Sequence, residues 1–389
     1  MFSREELREL AGCSSTRFPF ISFFWKAPPT TNRSPRDAAI LVRDLLREVR
    51  QKLGNGNHSR EWTRSLEADQ QKILDYFNQA QDGRAADTAL FSCSGESYWR
   101  DVRLPRGLSR GLFVGETFYL QPLSVLLDQY PRYCTVLLDR AAARIFEIYM
   151  GELVERTSLL DEVPGKVKAA TWTGGNERQI ERRTESKVHQ HYKRVAELVL
   201  QFFQKLRFDW LILEGHADGL AAFENHLHSS LRARLIGRVA ADMRAATPQE
   251  ILAKSMEIVE ARDGQEKQAL VEDILNKANQ GGLGVSGLPE TLQALELGQV
   301  HTLVVDETLQ VSAWLCHNCG ALALAEAATC LQCQEPVERL EDAVERAVED
   351  AIRDNSQIRF VRGNEKLRQA GGIAALLRFR AAKASGASS

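Results

Sequence analysis

The chain has 389 residues, with 50 Lys and Arg against 52 Asp and Glu, a net charge of −2, 44% hydrophobic and 26% charged residues. That length exceeds one ordinary core and predicts two or three globular domains; the balanced charge excludes a uniformly basic surface, so any RNA contact must use a local patch. No run of about 18 uncharged apolar residues occurs, and MFSREELREL has no cleavable hydrophobic core, which predicts a cytoplasmic protein without a membrane partner.

Before Phe20 the pattern is a short helix and a loop. Phe20-Ile21-Ser22-Phe23-Phe24-Trp25 then reads as a buried strand, broken by Pro28-Pro29. Ser34-Pro35-Arg36-Asp37 offers an N-cap, a first-turn proline and an early acid, followed by Leu41, Leu45, Val49 and Leu53 on one helical face. A second amphipathic helix covers Ser65 to Gln79, and Thr88 to Cys93 is another strand, ahead of SGESYWRDVRLPRGL. Ser94-Gly95-Glu96 with Trp99 has the composition of a catalytic turn, but no nucleophile elbow or ordered triad accompanies it, so loop chemistry is the reading. Residues 1–129 are expected to form an α/β domain.

Tyr133 to Val154 predicts two strands around Asp139-Arg140-Ala141-Ala142, the second ending at Gly151. Next come Gly174-Gly175-Asn176 and a strongly charged helix. Ile180, Val188, Tyr192, Val195 and Val199 recur at helical spacing, while Arg178, Arg182, Arg183, Lys187, Lys193 and Arg194 occupy much of the remaining surface. Adjacent glycines let another molecule approach the main chain, so this loop ahead of a basic helix suits an RNA or phosphate contact. The local pattern by itself favours a turn before a solvated helix, in which Glu177, Glu181 and Glu185 pair with the cations. Phe208 to Leu213 is a strand closed by Gly215, and a helix follows over Gly219 to Leu235. Asp139 and Asp218 lack the further ligands of a metal nuclease and suit turn and cap roles. His189, His191, His226 and His228 fall on helical faces with no supporting ligands. This second domain is expected over 130–246.

Thr247-Pro248-Gln249-Glu250 is a capping box with proline at the first helical position, opening a helix that runs to Asn279 and a third domain over 247–380. Gly281-Gly282-Leu283-Gly284 lacks the lysine and hydroxyl of a phosphate-binding loop. Leu288 to Leu297 is a helix, and His301 to Val305 and Ile358 to Val361 are strands. Between them Cys316-His317-Asn318-Cys319 and Cys330-Leu331-Gln332-Cys333 form two C-x-x-C knuckles ten residues apart, a spacing that lets four thiolates converge on one Zn2+. Four thiolates leave no open coordination position, so such a zinc is structural; His317 is a spare ligand. Leu367 to Phe379 closes the fold, and the tail 381–389 is expected to be disordered.

The loop and helix resemble the conserved loop and helix of the archaeo-eukaryotic class-1 release factors and Pelota, in particular their bacterial relatives. The release factors carry Gly-Gly-Gln there. Here the loop reads Gly174-Gly175-Asn176, and the helix holds the family-like run His191-Tyr192-Lys193-Arg194-Val195-Ala196-Glu197. The closing Gly371-Gly372-Ile373 run and the inserted knuckles carry the same likeness. The resemblance implies an α/β N-terminal domain, a ribonuclease-H-like middle domain, and a mixed α/β C-terminal domain with a zinc minidomain. In that family the loop reaches the peptidyl-tRNA ester and positions a water; Asn176 keeps an amide one methylene shorter, and Gln179 lies three positions on. No Asn-Ile-Lys-Ser run is present, so stop-codon reading of the eukaryotic type is not implied. The implied function is a translation factor at the ribosomal A site, in rescue or hibernation, contacting ribosomal RNA or tRNA through Gly174, Gly175, Asn176, Arg178, Arg182, Arg183, Lys187, Lys193 and Arg194. Its implied partner is a GTPase of the elongation-factor type, and not DNA. The alternatives are a peptidyl-tRNA hydrolase and a non-ribosomal RNA-binding or RNA-processing protein.

Overall fold

The computed structural model describes residues 2–26, 35–53, 59–79, 87–104, 108, 110–160, 176–316, 318, 322–324, 326–340 and 342–380. They build two compact units, Met1–Gln129 with Lys267–Ser389, and Tyr130–Glu266.

The first unit begins with α1 (Arg4–Ala11), whose Ser3 and Glu6 complete a capping box. β1 (Phe20–Trp25) is buried along its whole length, because it lies inside a four-stranded antiparallel sheet of order β3-β2-β1-β4. α2 (Pro35–Leu53) and α3 (Arg60–Gln79) supply the cover for one face. There Ile21, Phe23 and Trp25 pack on Val42, Leu46, Leu66, Ile73 and Phe77. β2 (Asp87–Cys93) follows the expected apolar run; β3 (Tyr98–Leu104) and β4 (Gly111–Gly115) are strands beyond those expected from the sequence. Both are edge strands. Arg100, Asp101 and Arg103 break the apolar pattern of β3 because half of such a strand meets water. The Ser94-Gly95-Glu96 turn is a structural anchor: the Ser94 N–H and Oγ donate to Asp69 of α3 at 2.9 and 2.6 Å. A Cβ at Gly95 would stand 2.2 Å from the Phe18 ring, so only glycine fits. α4 (Gln121–Gln129) ends this part of the chain.

The second unit is a five-stranded sheet of order β7-β6-β5-β8-β9, formed by β5 (Tyr133–Leu138), β6 (Ala142–Tyr149), β7 (Glu152–Leu160), β8 (Trp210–Gly215) and β9 (Leu235–Ala240). β5 pairs antiparallel with β6 and parallel with β8. Asp139 closes the β5–β6 turn by accepting the N–H groups of Ala141 and Ala142 at 2.8 and 2.7 Å. β7 and β9 add two strands to the expected order. Both are edges with alternating exposure, so neither shows a continuous apolar run. The helix expected over Gly219 to Leu235 is two short ones, α6 (Ala217–Glu224) and α7 (Ser229–Arg232), with Leu235 opening β9. His228 forces the break by capping α7, its Nδ1 accepting the Ser230 N–H at 3.2 Å. α5 (Asn176–Leu206) covers one sheet face, and the first half of α8 (Pro248–Asn279) covers the other through Ile251, Leu252, Ile258 and Val259. In the α8 seam Glu214 is buried, with Ser255 Oγ at 3.4 Å as its hydrogen-bond donor; burial pushes its carboxyl up to about 7.

From Lys267 the chain returns to the first unit. β10 (Gly284–Ser286), α9 (Leu288–Glu296), β11 (Val300–Asp306), α10 (Ala343–Arg353), β15 (Gln357–Val361), α11 (Glu365–Gln369) and β16 (Ile373–Leu377) form a mixed layer, with sheet order β10-β16-β11-β15. A small sheet, β13-β12-β14, is inserted as β12 (Ala313–Leu315), β13 (Leu322–Ala323) and β14 (Glu338–Leu340). Asp128 ties α4, the last helix of the N-terminal part, to this layer. Its side chain is 3% exposed and contacts Lys267 Nζ at 2.8 Å and Arg359 Nε at 3.1 Å. It also accepts the Phe360 N–H at 2.8 Å. Asp128→Ala removes the carboxylate shared by two cations from a desolvated site and is expected to cost about 3–5 kcal/mol in urea unfolding. Asp128→Asn, which keeps an acceptor for Phe360, should cost less; a loss below about 1 kcal/mol for the alanine variant contradicts this role.

Candidate RNA-contact helix and metal centre

α5 is a 31-residue helix, about 46 Å long at 1.5 Å per residue. Its buried side carries Thr184, His191, Tyr192, Val195, Ala196 and Val199, the apolar members packing on Val136, Leu138, Leu211 and Leu213 of the sheet. Arg182, Arg183, Lys187, Lys193 and Arg194 are all exposed. The expected division of the helix into a packed stripe and a charged face therefore holds over 182–199. Asn176 is the first residue of α5; its side chain and that of Arg178, together with Gly174 and Gly175, lie outside the described residues. Within a chain of net charge −2 the five exposed cations make a local positive surface, the kind that meets a polyanion.

The cysteine knuckles meet at the small sheet. Cys316 directly follows β12, and Cys330 and Cys333 sit in a tight turn. In it the Cys330 N–H donates to the Glu335 carbonyl at 2.7 Å, the Gln334 N–H donates to the Cys330 carbonyl at 2.9 Å, and Gln334 takes a φ of 62°. The sulfurs of Cys316, Cys330 and Cys333 all lie within 4.8 Å of one another, with 3.4 Å between Cys316 and Cys333. The Gln332 N–H points at Cys330 Sγ, 3.4 Å away. Thiolates about 2.3 Å from one zinc ion stand about 3.8 Å apart in a tetrahedron, so the donor set fits a thiolate metal. Cys319 and His317 lie outside the described residues.

Other sequence-derived candidates separate. Asp139 serves its turn and Asp218 lies in the first turn of α6. Among the described residues the only group of three or more His, Cys, Asp or Glu placed to share a metal is the cysteine trio. Of the histidines, His191 is buried and His228 caps α7. His189 and His226, 37 positions apart in sequence, meet with ring centroids 4.4 Å apart. Periodicity places each on its own helical face but carries no signal that the two faces touch.

The sequence has relatives among translation termination proteins. Residues 119–260 match the model of the bacterial archaeo-eukaryotic release factor family 10, and residues 264–381 match eRF1 domain 3. The peptide chain release factor subunit 1 of Methanobrevibacter smithii is 26% identical over 286 residues, 67% of this chain and 69% of that protein. Its counterpart from Thermococcus onnurineus is 28% identical over 217 residues, 53% of this chain and 51% of that protein, so the match spans about half of that relative. Among solved structures, a model of ribosome-bound archaeal Pelota and ABCE1 covers 97% of this chain and 94% of that one, with a TM-score of 0.44 and 14% identity. The class is thus that of the archaeo-eukaryotic release factors. Residues 119–260 place the chain with the bacterial archaeo-eukaryotic release factors, and residues 264–381 with proteins that carry eRF1 domain 3.

Proposed function

We propose that this protein is a translation factor that occupies the ribosomal A site in rescue or hibernation, without reading stop codons. On this reading the middle domain, 130–246, is ribonuclease-H-like and presents Gly174, Gly175, Asn176, Arg178, Arg182, Arg183, Lys187, Lys193 and Arg194 to ribosomal RNA or tRNA. The observation that carries it is the exposed cation face of α5, opposite a buried apolar stripe, in a chain with no overall positive charge. The role needs binding and no bond cleavage. A GTPase of the elongation-factor type is the partner that family membership implies. Replacing Arg182, Arg183 and Lys187 together by Glu is expected to weaken ribosome association by more than about 100-fold and to flatten its salt dependence, each lost phosphate contact removing about 0.9 from the log–log slope. Association of unchanged strength and salt dependence rules out α5 as the contact.

The metal centre is assigned the same way: Cys316, Cys319, Cys330 and Cys333 hold one structural zinc, whose role is to fix the small sheet. The purified protein should contain about one zinc per chain, and Cys330→Ser should lose the ion and lower the unfolding midpoint. A protein that carries no zinc and whose stability ignores a chelator refutes the assignment.

A further inference from the structure

His189 and His226 meet at the edge of the α5 cation face. Their rings are 4.4 Å apart at 72°, and His226 also sits edge-on to Tyr192, at 6.0 Å, which packs on buried Phe223 at 5.8 Å. An aromatic column therefore runs from the core of the unit to exposed His189. Along α5, Lys193 lies one turn after His189 and Arg182 two turns before it, so all three share one edge of the helix, and both cations are exposed.

Asp139 and Arg140, in the β5–β6 turn, act electrostatically on Tyr192 of this column. Glu185 stands one turn before His189 on α5. On the segment carrying His226, Glu224 is tied to Arg238 at 2.6 Å. Arg232 donates to the Glu224 carbonyl at 3.2 Å, and His228 is paired with Ser230 at 2.8 Å. Burial, and then the neighbouring His189, hold the His226 imidazole below the ordinary histidine range. Two imidazoles in contact resist double protonation, so the pair has room for one proton, and an anion placed between them favours its uptake.

We propose that His189 and His226 form a phosphodiester-binding subsite at the edge of the α5 cation row, which takes up one proton from solvent as an RNA phosphate docks. The proposal rests on α5 being the RNA-contact helix. A neutral pair then donates N–H groups alone; a singly protonated pair adds a charge-assisted hydrogen bond to the phosphate oxygen. Because the bound state holds one more proton than the free state, affinity rises as pH falls from the bound-state pKa towards the free-state one, by at most tenfold per pH unit.

The test is association of the full-length protein with vacant bacterial ribosomes at about pH 6 and about pH 8, at fixed ionic strength, for wild type, His189→Gln and His226→Gln. Circular dichroism verifies that each variant is folded. Wild type is expected to bind about tenfold tighter at the lower pH, and each variant to reduce that ratio below about twofold. If the variants keep the tenfold ratio while charge reversal on α5 abolishes binding, the subsite falls and the α5 contact stands. A wild-type affinity independent of pH also overturns the subsite. Absence of wild-type binding at both pH values overturns subsite and contact together.

Discussion

A carboxylate taken out of water must find compensating charge and hydrogen bonds, and Asp128 finds them in two other elements at once. Lys267 comes from α8, Arg359 and the Phe360 N–H from β15, and the acid itself from α4. The Phe360 contact bridges 232 positions of sequence. A second tie works beside it: the carboxylate of Glu345 on α10 accepts the N–H groups of Leu120 and Gln121 at 2.6 and 3.1 Å, meeting the unsatisfied donors where α4 begins. α4 is thus held at both ends by acids, one its own and one from α10. Removing the apolar contacts around these pairs costs area; removing one partner leaves a desolvated charge, which costs more. That asymmetry is why the N-terminal sheet and the C-terminal layer share one compact unit although a whole second unit separates them along the chain.

How much of this was legible depended on whether a signal is local. β1, β2, β5, β8 and β11 are buried on both faces and show as apolar runs; the Thr247 capping box marks the start of α8 to the residue, with the Glu250 N–H 3.3 Å from Thr247 Oγ1. β3, β7 and β9 are sheet edges, where Arg, Asp and Glu dilute the pattern over a few residues; β4, also an edge, is short and bounded by Gly111 and Gly115, so turn composition dominates. The split between α6 and α7 hangs on one histidine cap, which periodicity does not register. For the candidate site, the convergence of Cys316, Cys330 and Cys333 follows from knuckle spacing, a local rule. The exposed face of α5 follows from its period. The contact of His189 with His226 depends on how α6 is set beside α5, a tertiary fact that no window of sequence contains. Asp128 is equally silent in sequence: an acid near a helix C-terminus looks misplaced against the helix dipole until Lys267 and Arg359 are brought to it.

A sheet whose one face takes the apolar stripe of α5 leaves the opposite face of that helix free to be charged, and in a chain of net charge −2 such a concentration of Arg and Lys marks a place rather than a general affinity. Salt screening over about 8 Å at physiological ionic strength keeps the effect of that face local, so the partner must come to the helix. The measurement that tests the central claim most directly is co-sedimentation of the protein with vacant bacterial ribosomes at moderate salt, repeated with tRNA filling the A site. Occupancy of that site predicts that the protein pellets with vacant ribosomes and is displaced by A-site tRNA. Protein that stays in the supernatant with vacant ribosomes, or that pellets equally well when the A site is filled, contradicts it.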